Sequence, residues 1–165
     1  MSDRPDVPET FPHLRFRTAT NDDRNQVQSL VFGVLAEFDL KPDPDATDAD
    51  LLDIETNYLN RGGLFDLIED ENGKLVGTFG LYPLDANTCE LRKMYLVPAV
   101  RGQGLGKYVL RKAVEHAKEM GFKEMVLETS SKLVAAIQLY RQFGFQPIQI
   151  KHVTPRADQS YGMKL

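Results

Sequence analysis

The chain has 165 residues, of which 42% are hydrophobic and 27% charged, with three histidines and a single cysteine, Cys89. This length and composition fit one globular, cytoplasmic domain. A net charge of −4 argues against nucleic acid or an anionic membrane as a partner, and one cysteine excludes a disulfide framework.

Hydrophobic periodicity divides the chain into a tail and one domain. Residues 1–12 contain three prolines and predict a flexible tail without the apolar core of a signal peptide, followed by a single domain over 13–165. The predicted elements are a strand over 14–20, a helix from Asn21 or Asp22 to about Asp39, a short helix around 50–60, strands over 64–70, 74–84 and 88–97, a helix over 104–120, a strand over 124–130, a helix over 131–143, and closing strands over 145–153 and 159–165. This order predicts an α/β (α+β) fold with a mixed, mostly antiparallel sheet of six to seven strands and about four helices. The strand–helix–strand unit over 88–129 predicts one parallel strand pair.

The stretch "RGQGLG" at 101–106 stands directly before a helix. The first N–H groups of a helix lack internal partners, and glycines let an anion approach them closely. Arg101 adds a positive charge, so the loop predicts a cradle for a phosphate-bearing cofactor. Tyr108 stands where an ATP-binding P-loop needs Ser or Thr, and the third glycine comes one residue early for a dinucleotide loop. A glycine-rich turn without a ligand remains the alternative.

Three successive stretches surround this loop: "LRKMYLVPAVRGQGLG", "VLETS" and "AAIQLYRQFGF". Together they resemble signatures of the GNAT superfamily of acyl-CoA-dependent N-acetyltransferases, sharply over 90–145 and more weakly over 14–165. The residues that match its Arg/Gln-x-x-Gly-x-Gly/Ala loop and its later Leu-Tyr and Gly-Phe pairs are Arg101, Gly104, Gly106, Leu139, Tyr140, Gly144 and Phe145.

The resemblance implies that acetyl-CoA lies in a cleft where the strands over 88–97 and 124–129 splay apart, without a metal. Backbone groups of Leu96 and Val97 would pair with the pantetheine arm, and the N–H groups over 103–107 would hold the pyrophosphate. The implied cofactor-binding residues are Leu96, Val97, Arg101, Gly102, Gln103, Gly104, Leu105, Gly106, Lys107, Ala136 and Tyr140. Leu133 departs from the family, since many relatives carry an asparagine there; Ser130 or Ser131 would be its polar replacement.

Acetyl transfer to an amine needs a neutral acceptor and a proton for the leaving thiolate. Tyr140 is the predicted general acid, and its alternative is an aromatic that only packs on neighbouring phenylalanines. Glu90 is the predicted base, through water; it lies six residues before Leu96, so alternation predicts both side chains on one face. Its alternative is a plain ion pair with Arg92 or Lys93. Glu128 is the rival base, and water alone is a third possibility.

The expected acceptor is a primary amine of a small molecule or a protein. An acidic cluster near the first helices could attract a cationic acceptor, and its alternative is an ordinary solvated loop and helix start. The cluster comprises Asp39, Asp43, Asp45, Asp48, Asp50, Asp53 and Glu55. Asp158 and Tyr161 are further candidates for the acceptor pocket, and His152 is a weaker one. The alternative function is a non-catalytic acyl-CoA-binding sensor on the same fold. The sequence leaves open whether the protein forms a homodimer.

Overall fold

The computed structural model describes residue 8 and residues 10–149 and 154–165. A seven-stranded mixed sheet with the strand order β1-β2-β3-β4-β5-β7-β6 forms its centre. The strands are β1 (Arg15–Thr18), β2 (Leu64–Glu69), β3 (Leu75–Pro83), β4 (Thr88–Leu96), β5 (Glu124–Thr129), β6 (Gln146–Pro147) and β7 (Gln159–Lys164). The helices are α1 (Arg24–Glu37), α2 (Ile54–Asn57), α3 (Leu105–Glu119) and α4 (Val134–Phe143). The predicted fold class is confirmed.

The parallel pair β4–β5 is short and opens at one end. Pairing covers only Thr88 with Glu124, Cys89 with Met125, and Glu90 with Val126. Both strands continue beyond this point, β4 to Leu96 and β5 to Thr129. The sheet therefore has a gap between its two central strands, in agreement with the prediction that they splay apart.

Apolar side chains form one core on each face of the sheet. Helices α3 and α4 cover one face, where Leu105, Val109 and Tyr140 pack against β3, β4 and β5. Helix α1 and the segment around α2 cover the other face, with Val31 and Tyr58 in that core. Because both faces are covered, the gap between β4 and β5 is enclosed by helices above and below.

A β-bulge in β4 changes which side chains share a face. Arg92 pairs with Gly80 and Tyr95 with Thr78, so Lys93 and Met94 together oppose a single β3 residue. Lys93 has a φ of 55°, in the left-handed region that residues other than glycine rarely adopt. The Thr78 hydroxyl donates a 2.7 Å hydrogen bond to the Lys93 carbonyl and holds this conformation. A bulge shifts the alternation by one residue.

The expectation that Glu90 and Leu96 share a face is therefore wrong. Glu90 lies opposite Tyr82, whose ring packs in the core under α1 and α2. Leu96 lies opposite Gly77 and packs in the core under α3 and α4. The two side chains approach the gap from opposite faces of the sheet.

Several element boundaries differ from the predicted ones. Thr20 is the N-cap, and a short 3-10 turn over Asn21–Asp23 precedes α1. The predicted helix around 50–60 is broken into short turns on either side of α2, and α4 begins at Val134. Strand β6 has two residues, and positions 150–153 of the longer predicted strand lie outside the described residues.

The described part of the predicted tail packs on the domain. Phe11 is 6% exposed, and its ring stands edge-on to Tyr108 at a centroid distance of 5.5 Å. Its N–H donates to the Pro8 carbonyl at 3.1 Å. Packing onto the domain therefore begins before residue 13.

Candidate active site

The gap between β4 and β5 widens into a cleft of about 720 Å³. One wall consists of β4 from Glu90 to Leu96, and the other consists of Glu128 to Ser130 with the inner side of α4. Residues of α1, of the loop after it and of the loop before β7 also line the cleft. The cleft thus runs from the glycine loop at the start of α3 to a group of charged side chains between the strands.

The glycine loop has the backbone conformation that its sequence requires. Gly102 and Gly104 have φ angles of 75° and 83°, and a Cβ at either position would meet no atom within 4 Å. The first hydrogen bond of α3 runs from the Tyr108 N–H to the Gly104 carbonyl at 3.1 Å. The N–H groups between these residues precede the helical ladder, where the helix dipole is positive. The open space and these donors fit a pyrophosphate.

Arg101 at this loop is already held by the protein. Its Nε donates to the Leu96 carbonyl at 2.9 Å, and its two terminal nitrogens lie 2.8 and 3.1 Å from the Glu37 carboxylate oxygens. Each side chain of this pair is 33% exposed. The guanidinium therefore borders the cleft as half of an ion pair rather than as a free cation.

At the end of β4, one backbone N–H group points into the gap. The Val97 N–H donates to the Val76 carbonyl at 2.9 Å, so it points toward β3. Because successive N–H groups of a strand point to opposite sides, the Leu96 N–H points toward the gap. Leu96 and Val97 were both expected to pair with a pantetheine arm. The N–H of Leu96 points into the gap where such an arm would lie, whereas the N–H of Val97 is bonded to β3.

The eleven predicted cofactor residues divide into two groups. Those that line the cleft are Leu96, Arg101, Gly102, Gly106, Ala136 and Tyr140. Those outside the lining of the cleft, among the described residues, are Val97, Gln103, Gly104, Leu105 and Lys107. The Leu105 side chain is 1% exposed and lies in the core. Any contact from Leu105 to a ligand would therefore come from its backbone atoms.

Tyr140 combines packing with access to the cleft. Its side chain is 7% exposed, and its ring stands edge-on to Phe145 at 5.9 Å. It also lines the cleft opposite β4. Burial raises the pKa of the Tyr140 phenol, and the proximity of Tyr95 adds to the rise. The hydroxyl is therefore protonated at neutral pH and can act as a donor.

Two carboxylates, those of Glu90 and Glu128, line the cleft where the strands separate. Glu90 Oε1 accepts a hydrogen bond from Arg92 Nε, as the ion-pair alternative predicted. The Arg92 guanidinium lies 3.8 Å from the centroid of the Tyr82 ring, and this stacking holds Arg92 in place beside Glu90. Burial raises the pKa of the Glu128 carboxyl, and the negative charge of Glu90 raises it further.

Sequence reasoning missed a buried ionic cluster in the wall of the cleft. Arg156 donates through both terminal nitrogens to Asp48, at 2.6 and 2.7 Å. Lys93 Nζ lies 3.0 Å from Asp48 Oδ1 and 3.4 Å from Asp50 Oδ1. The Tyr58 hydroxyl donates to Asp50. The Lys93 side chain points to this cluster only because of the bulge, and nothing in the local sequence predicts that bulge.

Three carboxylates of the acidic segment expected to attract a cationic acceptor are engaged within the protein. Asp48 and Asp50 are 0% and 9% exposed and are paired with Lys93 and Arg156. Asp53 caps α2 by accepting the Thr56 N–H at 3.0 Å. Within the described ranges, none of the seven acidic residues named above lines the cleft.

Of the remaining candidates that the structure describes, only Ser130 lines the cleft. Tyr161 is 2% exposed in the core, and Asp158 accepts hydrogen bonds from the Ser131 N–H and hydroxyl at 2.7 and 2.6 Å. Ser130 lines the cleft, so it is the serine placed to replace the absent asparagine. Cys89 is buried in the core, and burial raises the pKa of its thiol to about 12. His152 lies outside the described residues.

The residues that the structure describes lack two features. Among these residues, no group of three or more His, Cys, Asp or Glu side chains is arranged to hold a metal ion. None of the helices formed by them has both the length and the apolar character that a membrane span needs.

Comparison with known proteins identifies the family. The profile of the acetyltransferase (GNAT) family matches residues 30–145. A protein of Escherichia coli (strain K12), described as the uncharacterized N-acetyltransferase YjgM, is 39% identical over 137 residues, which cover 80% of this chain and 81% of that protein. The chain therefore belongs to the GNAT acetyltransferase family.

Solved structures agree with this assignment. A GNAT-family acetyltransferase from Staphylococcus aureus Mu50 superposes with a TM-score of 0.86 at 28% identity, over 92% of this chain and 98% of that one. A GNAT superfamily phosphinothricin acetyltransferase from Sinorhizobium meliloti, solved in complex with AcCoA, has a TM-score of 0.71 at 19% identity, over 93% and 89% of the two chains. The second similarity shows the shared fold.

Proposed function

We propose that this protein transfers an acetyl group from acetyl-CoA to an amine. The observation that carries the proposal is the cleft itself, which joins the glycine loop at one end to Tyr140, Glu90 and Glu128 at the other. A donor held by its pyrophosphate at the loop would extend its thioester between the splayed strands. The bound AcCoA in the Sinorhizobium meliloti enzyme of the same fold supports acetyl-CoA as the donor.

The residues of the cleft can supply each step of a direct transfer. A carboxylate takes a proton from the acceptor ammonium, and the neutral amine then attacks the thioester carbonyl carbon. The Leu96 N–H, which points into the gap, can donate to the carbonyl oxygen as it gains charge. As the carbon–sulfur bond breaks, Tyr140 donates its proton to the sulfur and recovers one from the new amide nitrogen through water.

An assay of CoA release tests this function. The protein is mixed with acetyl-CoA and with amino acids, polyamines or peptides, and free CoA is followed with a thiol reagent. The only cysteine of the chain is buried, so the protein itself adds little signal. We expect CoA binding by calorimetry and amine-dependent thiol release. Absence of CoA binding would contradict the proposal, and binding without release on the whole panel would favour the sensor alternative.

A further inference from the structure

Two carboxylates share one face of the sheet at the point where β4 and β5 separate. Glu90 pairs with Val126 in the parallel ladder, and Glu128 lies two residues beyond Val126. Alternation along β5 returns the Glu128 side chain to the face of Glu90. Since both line the cleft, each is positioned to meet an amine that enters between the strands.

The carboxylate of Glu90 is committed to a neighbour. It accepts the Arg92 Nε–H, its side chain is 14% exposed, and Arg92 is in turn stacked on Tyr82. A proton on Glu90 would remove the charge that holds this pair together, and charge-assisted hydrogen bonds of this kind are about twice as strong as neutral ones. The Glu90 carboxylate is therefore engaged with Arg92 rather than free to meet an amine.

The surroundings of Glu128, in contrast, raise the pKa of its carboxyl. Burial and the adjacent negative charge of Glu90 raise the pKa of its carboxyl, while hydrogen bonds from Thr154 and the charge of Arg92 act in the other direction. Lys93 and Arg156 also line this part of the cleft, and both are paired with the carboxylate of Asp48. A base works best when its pKa approaches the working pH, so the surroundings of Glu128 favour proton transfer.

We propose that Glu128 is the general base of the transfer and that Glu90 is a positioning residue, which acts on Glu128 through its charge and its fixed partner Arg92. This inference rests on the proposed acetyl transfer. Glu128 accepts one proton from the acceptor ammonium, directly or through one water, and releases it to solvent after the acetyl amide has formed. The amine nitrogen keeps the electron pair that then forms the bond to the acetyl carbon.

Comparing the rates for two acceptor amines of different basicity distinguishes a general base from a structural residue. The best amine of the panel is compared with its alkoxyamine analogue, which is far less basic and is already neutral at pH 7. We expect Glu128→Gln to lower kcat/KM for the basic amine by about 100-fold, the usual contribution of a general base, and to leave the alkoxyamine rate nearly unchanged. An equal loss for both acceptors, or no loss for either, would overturn the assignment.

Glu90→Gln is the matched control, because it is the other carboxylate of the same cleft. We expect it to lower kcat/KM for the basic amine far less than Glu128→Gln does. If the selective loss for the basic amine over the alkoxyamine appears in Glu90→Gln and is absent from Glu128→Gln, Glu90 is the base instead.

A titration read by carboxyl carbon NMR does not depend on turnover. Glu90→Gln removes the adjacent negative charge and should lower the pKa of Glu128, whereas an unchanged Glu128 titration would overturn the coupling. CoA binding and wild-type turnover report on the proposed function, and only the contrast between the two variants reports on Glu128. The failure of one can therefore be told from the failure of the other.

Discussion

Tyr140 can be tested by removing one oxygen atom. Its ring packs on Phe145 while it lines the cleft, so Tyr140→Phe keeps the packing and removes the hydroxyl. We expect kcat to fall by about 100-fold, a typical contribution of one proton donor, with CoA affinity unchanged by calorimetry. Tyr108→Phe, which changes a tyrosine of α3 outside the cleft lining, is the control and should leave kcat unaffected. An equal loss of CoA affinity in Tyr140→Phe would instead show that the residue is structural.

The glycines of the loop differ in what they tolerate. Gly104 has a φ of 83°, and an L-residue there costs about 1 kcal/mol. Gly106 belongs to α3, and a Cβ on it would lie 3.4 Å from Leu139 Cδ2, which is an ordinary contact. Gly104→Ala should therefore lower the free energy of unfolding, whereas Gly106→Ala should leave it unchanged or raise it by up to about 0.5 kcal/mol.

Ligand binding should separate these two variants further. Because Gly106 lines the cleft, its new methyl group should weaken CoA binding while the protein keeps its stability. Urea unfolding and calorimetry with CoA measure the two effects. A Gly106→Ala variant that loses stability but binds CoA normally would contradict this explanation.

At the scale of elements, the end of α1 reaches across to the glycine loop. Glu37 is the last residue of α1, and its carboxylate occupies the fork of Arg101 that a pyrophosphate would otherwise attract. An exposed ion pair of this kind contributes up to about 1 kcal/mol. Glu37→Gln should therefore strengthen CoA binding, by at most about fivefold.

Pantetheine provides the control for this prediction, because it carries the same arm as CoA without the pyrophosphate. Its affinity should be equal in Glu37→Gln and in the wild type. Weaker CoA binding in the variant would show that Glu37 orders the loop rather than competes with the ligand.

The sequence revealed the parts of the site that are contiguous along the chain. The glycine loop, the helix after it and the strands around it carry local signals, since positive φ angles select glycine and helices have a 3.6-residue period. The bulge at Lys93 carries no such signal, because it depends on a hydrogen bond from Thr78 on the neighbouring strand. That is why alternation failed between Glu90 and Leu96.

Contacts between distant segments were beyond prediction for a related reason. Arg156 and Asp48 are 108 residues apart, and neither stands in a motif. Asp48 is one of several acidic residues in its loop, and sequence alone does not distinguish the one that is buried from those that are exposed. The acidic segment therefore suggested a cation-binding surface, although its central carboxylates neutralise cations of the protein itself.

At the scale of the molecule, Asp48 ties together three segments: its own loop, β4 through Lys93, and the loop before β7 through Arg156. Burial opposes its ionisation, but Arg156 and Lys93 outweigh burial and lower the pKa of Asp48 to about 2. Asp48→Asn leaves Arg156 without its carboxylate partner and Lys93 with Asp50 alone, and it should lower the free energy of unfolding by about 3 kcal/mol at neutral pH. A carboxyl whose folded pKa is depressed stabilises the fold above its unfolded pKa of about 3.9, so the deficit of the variant should be constant above about pH 5 and should shrink as the pH falls from there toward 2. Urea unfolding across this range measures it, with Asp45→Asn, an exposed aspartate of the same loop, as the control. A deficit equal in the two variants, or one that grows as the pH falls, would show that the ionic cluster does not anchor the three segments.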